Sequence, residues 1–361
     1  MAEFIKGRTL SRRFFNEIAK PVLDEHFPTL QYSAGLLGYG SDVLGFDDAT
    51  STDHMWGPRF YLFLNESDIS KRDTIMEVFS RTLPHTFLGY SVHFSAPDPN
   101  DGGVRHAQFI SEGPVSPLIF IHTPEEYLTD YLGTASLHHL SAADWLSFSE
   151  HRLLALSCAE FYKDDLHMAE SLSLLQSYPK EVRMYLIASN WSLLAEEQAF
   201  VKRCSVVGDE MGSILVCGRI AERLMRLCFL YCSQYAPYSK WFGTAFERLP
   251  VDASIKNTIH AALTASDISA RETHIALAQK LVADLHNSLS LTEFVEAEVQ
   301  SYFGRDIQVI YADNFAAAAE KELAGTELEG LPLIGTLSEV ANFTVFSDDP
   351  QYRTKIKKLY M

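Results

Sequence analysis

Residues 40–59 read GSDVLGFDDATSTDHMWGPR and lie between two apolar runs, Tyr32-Ser-Ala-Gly-Leu-Leu-Gly-Tyr-Gly40 and Phe60-Tyr-Leu-Phe-Leu64. The first run ends in glycines and reads as a strand leading into a turn. The second, aromatic and aliphatic throughout, reads as a buried strand. A Gly-Ser pair between two strands suits phosphate. Gly40 lets the backbone approach the phosphate oxygens, and Ser41 with neighbouring N–H groups binds them. An acidic residue opening the next strand, Asp53, suits a divalent cation such as Mg²⁺ or Mn²⁺. Two residues on stands Met55, where a second carboxylate would strengthen that site, and a thioether is a poor ligand for a hard cation.

Working outward, residues 11–27 carry Phe14, Phe15, Ile18, Val22, Leu23 and Phe27 at helical spacing, with Ser11 as cap and Pro21 as a kink point. Residues 68–82 read as a helix capped by Asp68. Residues 87–94 and 106–110 read as strands joined by a turn-rich segment containing Asp-Pro-Asn-Asp-Gly-Gly. After about residue 125 the apolar period becomes helical. Helices are expected over 124–132, 142–160, 179–207, 209–235, 239–248, 252–264, 268–289, 291–303 and 313–325. The expected class is α+β. A mixed sheet with flanking helices fills residues 1–122, and an all-helical C-terminal domain fills 123–361. No repeat, low-complexity tract or long linker separates the two.

The chain has 361 residues, 47% of them hydrophobic, and a mean hydropathy of -0.04, which places it among globular rather than disordered sequences. No apolar stretch has the length of a membrane span, and the first residues lack the apolar core of a secretory signal. The five cysteines have no metal-site spacing and fit reduced thiols, so a cytoplasmic location is expected. A formal net charge of -17 disfavours polymeric nucleic acid as a partner but leaves room for a small anionic substrate. The sequence contains no P-loop, no Gly-x-Ser-x-Gly elbow and no His-Glu-x-x-His. It does not determine an oligomeric state.

The pattern Gly-Ser-x-x-Leu-Gly-x-Asp-x-x-x-Ser-x-Asp-His-x-Trp-Gly-Pro-Arg, read from Gly40 to Arg59, resembles the signature of an uncharacterised nucleotidyltransferase-like family. Further likeness lies at Asp144–Leu146, Gly208–Ser213, Tyr235–Trp241 and Leu331–Gly335. The resemblance implies a nucleotidyltransferase fold with a helical C-terminal domain and leaves the substrate open. Gly40 and Ser41 match its phosphate-binding pair, and Asp53 matches its first metal carboxylate. Met55 falls where nucleotidyltransferases place the second.

Other residues are candidates for the missing roles. Asp42, Asp47 and Asp48 are loop carboxylates near the signature, and Asp48 is assigned with Asp53 to the metal and to catalysis. These aspartates read equally as turn and cap residues. His54 and His93 are candidate proton acceptors. His54 and Trp56 read either as substrate contacts or as packing residues. Arg59 reads as a phosphate clamp or an internal ion pair.

In the second half, Arg219, Arg223 and Arg226 fall on one face of an apolar helix and must find anions, from the protein or from a ligand. Lys240 is a candidate cation for the nucleotide. Tyr238 and its aromatic neighbours suit a flat substrate or a sealed helix junction. The leading functional expectation is transfer of a nucleoside monophosphate from ATP or another NTP to a small-molecule acceptor, assisted by Mg²⁺ or Mn²⁺. The alternative is a catalytically degenerate nucleotide- or ligand-binding protein on the same fold. A structural protein that retains only the fold is the third.

Overall fold

A computed structural model describes residues 4–52, 55–341 and 343–361. By compactness the chain forms two units, residues 1–139 with 152–176, and residues 140–151 with 177–361. Residues 123–139 and 152–176 therefore lie with the sheet, beyond the single cut expected after residue 122.

The sheet unit opens on one continuous helical run. Helix α1 (Gly7–Phe14) passes through a π-helical turn, Phe15–Ala19, into α2 (Lys20–His26). Pro21 lacks an N–H and crowds the preceding turn, so a widened turn just before it absorbs the mismatch without breaking the run. The buried residues Leu10, Phe14, Phe15, Ala19 and Leu23 line its inner face.

Strands β1 (Tyr32–Leu36) and β2 (Arg59–Leu64) flank the signature, and α3 (Ser41–Leu44) lies within it. Helix α4 (Arg72–Thr82), strand β3 (Leu118–His122), helix α5 (Pro124–Leu132) and strand β4 (Glu160–Asp164) follow. The strand order is β3-β2-β1-β4. β1 runs antiparallel to both β2 and β4, and β2 runs parallel to β3, with Ala34 opposite Leu62. The sheet is mixed, as expected.

Its two faces are built differently. On one, Phe60 meets Phe15 edge-on at 5.3 Å and Phe79 at 6.2 Å, which joins α1, α4 and the sheet in one core. On the other, Tyr61 stacks on Phe120 at 4.9 Å, and Tyr127 of α5 packs against Tyr61 and Phe63. Helix α5 starts where the sequence indicated, on a reciprocal cap between Thr123 and Glu126.

Two strand assignments differ from expectation. Residues 87–94 and 106–110 form only a two-residue ladder, Thr86–Phe87 against Tyr90–Ser91, and isolated bridges such as Phe94 with Ala107. The turn-rich segment between them twists them out of the sheet, whose third strand is the apolar run Leu-Ile-Phe-Ile-His at 118–122. The helix expected over 142–160 is two, Ala142–Ser147 and Glu150–Ser157, and the chain is already extended as β4 at Glu160.

The second unit is built on α6 (Lys180–Glu197), α7 (Glu210–Tyr231), α8 (Ser239–Arg248), α9 (Ala253–Thr264), α10 (Ile268–Ser288) and α11 (Asp313–Lys321). Helix α7 is capped by Asp209, which accepts from Gly212 N–H at 2.8 Å. Inside the bundle, Trp191 Nε1–H donates to Tyr231 Oη at 3.0 Å, and Tyr231 Oη stands 3.0 Å from His286 Nδ1. Burial holds that imidazole down at about 4, so it sits neutral in the core.

The helix expected over 291–303 is absent. Asn287 donates to the carbonyl of Val295 and accepts from its N–H, at 2.7 and 3.1 Å, in the manner of a strand partner. Burial then alternates, with Val295 and Ala297 inside and Phe294 outside, and a short ladder pairs Gln300–Ser301 with Gln308–Val309. Among the described residues no helix is long and apolar enough to cross a membrane.

Candidate functional site

The signature turn is built around a buried ion pair. Arg59, the first residue of β2, donates from Nε and Nη2 to Asp42 Oδ2 and Oδ1 at 3.0 and 2.8 Å, and both side chains are 1% exposed. Arg59 Nη2 also donates to the carbonyl of Tyr39 at 2.6 Å. Burial disfavours the charged guanidinium, but Asp42 more than offsets this, and the net shift is upward. Gly40 makes the arrangement possible. Its φ is +121°, and a Cβ there would overlap Asp42 Oδ1 and stand 2.7 Å from Arg59 Nη2. Of the two readings of Arg59, the structure realises the internal pair.

The remaining loop aspartates also have protein partners. Asp47 Oδ2 accepts from Gly7 N–H at the start of α1 and from Trp56 Nε1–H, at 2.7 and 3.2 Å. Lys6 lies 3.6 Å from Oδ1 of the same residue. Asp48 Oδ1 accepts from the backbone and hydroxyl of both Thr50 and Ser51, and these bonds pull its carboxyl down to about 2. Asp48 is thus a turn cap in an exposed loop. Trp56 is buried, stacked on Phe4 at 5.5 Å and edge-on to Tyr90 at 5.1 Å, so it packs the core. His93 Nδ1 accepts from Ser116 N–H at 3.1 Å and is occupied. Ser41 is half-buried as the first residue of α3. Asp53 and His54 lie outside the described residues.

Met55 is held in the left-handed region at φ +48°, with Tyr39 Oη–H donating to its sulfur at 3.3 Å. Such a backbone suits Asp or Asn better than Met. Met55→Asp is therefore expected to raise stability by up to about 1 kcal/mol. It should also add a Mn²⁺-dependent rise in melting temperature that the wild type lacks. A midpoint that falls, or no Mn²⁺ response, would count against Met55 as the lost partner of Asp53.

The arginines of α7 all meet carboxylates of their own unit. Arg219 is exposed and grips Glu197 at 2.5 Å, and Arg223 meets Glu339 at 3.0 Å. Arg226, nearly buried, donates from Nε and Nη2 to Glu222 Oε1 at 3.0 and 2.9 Å and from Nη1 to Glu150 Oε2 at 3.2 Å. Lys240 is exposed, with its ammonium 5.0 Å from the Trp241 ring centre.

Arg226 leads to a feature that the arginine spacing alone did not reveal. It sits in the wall of a cavity of about 460 Å³ in the helical unit. Charged and polar walls come from Glu150, His151, Glu222, Arg226, Tyr238 and Ser338, and apolar walls include Met225, Phe242 and Phe343. Tyr238 is the member of the sequence-derived site set that lines this cavity together with none of the nucleotide residues. Glu150 accepts from Ala236 N–H at 3.1 Å as well as from Arg226. Burial pushes its carboxyl up to about 7. Arg226 pulls against that shift, and Glu339 adds to it. A group that titrates near neutrality in a concave site is a physical mark of function.

Ser149, His151 and Asp348 gather beside this cavity without forming a nucleophilic triad. Ser149 Oγ lies 3.1 Å from Nδ1 and 3.5 Å from Nε2 of His151, so it stands over the ring rather than in its plane. The hydroxyl donates instead to Asp348 at 2.9 Å. A general base needs an in-plane hydrogen bond to its nucleophile.

Gly218 completes the wall. It lies in the interior of α7, where glycine is about 1 kcal/mol worse than alanine. A Cβ built on it meets no heavy atom within 4 Å. The helix therefore carries a poor helix former where a side chain would project into open space. A glycine in the interior of a helix, beyond the first turn that holds Gly212, was the available sequence signal.

No curated protein matches the chain. Over residues 145–242, a stretch that includes Glu150, His151, Gly218, Glu222, Arg226 and Tyr238, the chain is similar to a domain of unknown function, DUF4037.

Proposed function

We propose that this protein binds a small molecule in the cavity of its helical unit, on a scaffold that resembles nucleotidyltransferases but is catalytically degenerate. The observation that carries this reading is the cavity itself. It is of ordinary ligand size, mixed in polarity, and opened by Gly218 on a helix that would otherwise favour a side chain there. The signature loop supports the degenerate half of the reading. Asp42, Asp47 and Asp48 are each engaged by protein donors, and Arg59 is committed to Asp42. Among the described residues, therefore, the loop offers no carboxylate pair fit for Mg²⁺ or Mn²⁺.

A second reading, nucleoside monophosphate transfer from ATP or another NTP to a small acceptor, is favoured by the Gly40-Ser41 turn following β1. One experiment separates the two. Pyrophosphate release from each of four NTPs is measured with Mg²⁺ or Mn²⁺ against a metabolite library, for the wild type and Asp53→Ala. The binding reading expects no release above the variant's, alongside metabolites that raise the melting temperature. Metal-dependent release abolished by Asp53→Ala would establish transfer and remove the degenerate reading.

A further inference from the structure

Along α7, Gly218, Glu222 and Arg226 follow one another at four-residue intervals on the wall of the cavity. Arg226 uses only Oε1 of Glu222, and among the described residues Oε2 accepts no hydrogen bond. The Glu222 side chain is 37% exposed, against 11% for Arg226. The guanidinium is thus drawn back between two carboxylates and over the Phe242 ring, 5.2 Å from its centre, while Glu222 remains accessible. His151, the other ionisable wall group, is matched by Asp348 at 2.8 Å. Among the described wall residues, Arg226 is thus spent on two carboxyl groups, whereas Glu222 keeps one oxygen open to the space.

An anionic ligand would have to displace Glu150 or Glu222 from Arg226 and would meet the open carboxylate oxygen of Glu222. A neutral ligand would leave Oε2 of Glu222 unanswered. The apolar walls at Met225, Phe242 and Phe343 suit a carbon body rather than a bare metal ion.

We infer that the cavity takes an organic cation, a small amine or guanidine whose charged head meets Glu222 and whose carbon body lies along Gly218 and Phe242. This rests on the preceding reading that the cavity is a ligand site, and it assigns the chemical class of that ligand. The same chemistry disfavours the cavity as a place for nucleotide phosphates.

The test uses the full-length protein and four probes: tyramine, agmatine, and the uncharged and anionic relatives of tyramine, tyrosol and 4-hydroxyphenylpropionate. Binding is followed by calorimetric titration and by the shift in melting temperature. Tyramine or agmatine should bind, and tyramine at least about tenfold tighter than tyrosol or the acid. Glu222→Gln keeps the side-chain shape and an acceptor for Arg226, and should weaken the amines by about tenfold while leaving tyrosol unchanged. Gly218→Leu fills the cavity with a better helix former, so it should abolish binding without lowering the melting temperature.

Tyrosol or the acid binding as tightly as tyramine, or no binding by either amine, overturns the inference. Tight binding of tyrosol or the acid that Gly218→Leu abolishes leaves the cavity as a ligand site. Amine binding untouched by Gly218→Leu puts the amine elsewhere and overturns the inference together with the cavity reading.

Discussion

Asp42→Ala is expected to destabilise the sheet unit by about 3–5 kcal/mol, because it leaves the Arg59 guanidinium buried, charged and without its bidentate partner. Arg59→Ala should cost a similar amount by stranding Asp42. Replacing both with apolar residues, as in Asp42→Ala with Arg59→Met, should recover much of the loss, since the pair carries a desolvation penalty that vanishes with it. Urea unfolding combined with hydrogen exchange of the β1 and β2 amides would read this directly. The nucleotide-clamp reading of Arg59 expects the opposite pattern, a stable Arg59→Ala protein that has lost affinity for NTPs. A destabilisation below about 1 kcal/mol would put the guanidinium within reach of water and revive the clamp.

Glu150 should give the helical unit a pH dependence of unusual sign. Its carboxyl titrates at about 7 in the folded protein against an ordinary 4.5, so between those values the folded state retains a proton that the unfolded chain has released. The raised value contributes stability that is full below pH 4.5 and is lost as pH rises through about 7. Across that window the loss is on the order of 3 kcal/mol. Glu150→Gln cannot ionise, so its melting temperature should lack this decline. The two proteins should converge in acid and diverge towards neutrality, in melts recorded from about pH 4 to 8. Parallel curves would mean that Arg226 and the Ala236 N–H hold the carboxyl charged throughout.

What the sequence disclosed and what it withheld divide along physical lines. Local signals were legible. The Thr123-Pro124-Glu125-Glu126 start of α5, the Asp209 cap of α7 and the two strands around the signature all depend on neighbours within a few residues. β3 carries no comparable signal, although Leu118–His122 is an apolar run bounded by Pro117 and Thr123. As a parallel strand it has no turn to announce it. β4 goes unassigned beyond Glu160, the last residue of the helix expected over 142–160, because Glu160-Phe-Tyr-Lys-Asp164 has no distinctive period, and only its pairing with β1 fixes its state. Partner choice was the least legible property. Nothing local says that Asp42 answers Arg59 rather than a metal, or that Glu150 meets Arg226, 76 residues later. The cavity belongs to this second class. Its walls come from segments far apart in sequence, and the local hint was Gly218 in the interior of a helix.

The return of the chain at β4 bears on how the protein is made. β1 is an interior strand, but one of its two neighbours, β4, begins at Glu160. A ribosome that has delivered the first 140 residues has released three of the four strands, with one whole side of β1 still bare. That side is a row of unsatisfied N–H and C=O groups beside the Phe15 core, which is the surface on which chains pair with one another. Synthesis at roughly 5–20 residues per second leaves the edge open for a second or more before β4 can close it. Chaperone demand during translation should therefore fall once Asp164 has cleared the exit tunnel, and a fragment cut anywhere before that residue should aggregate.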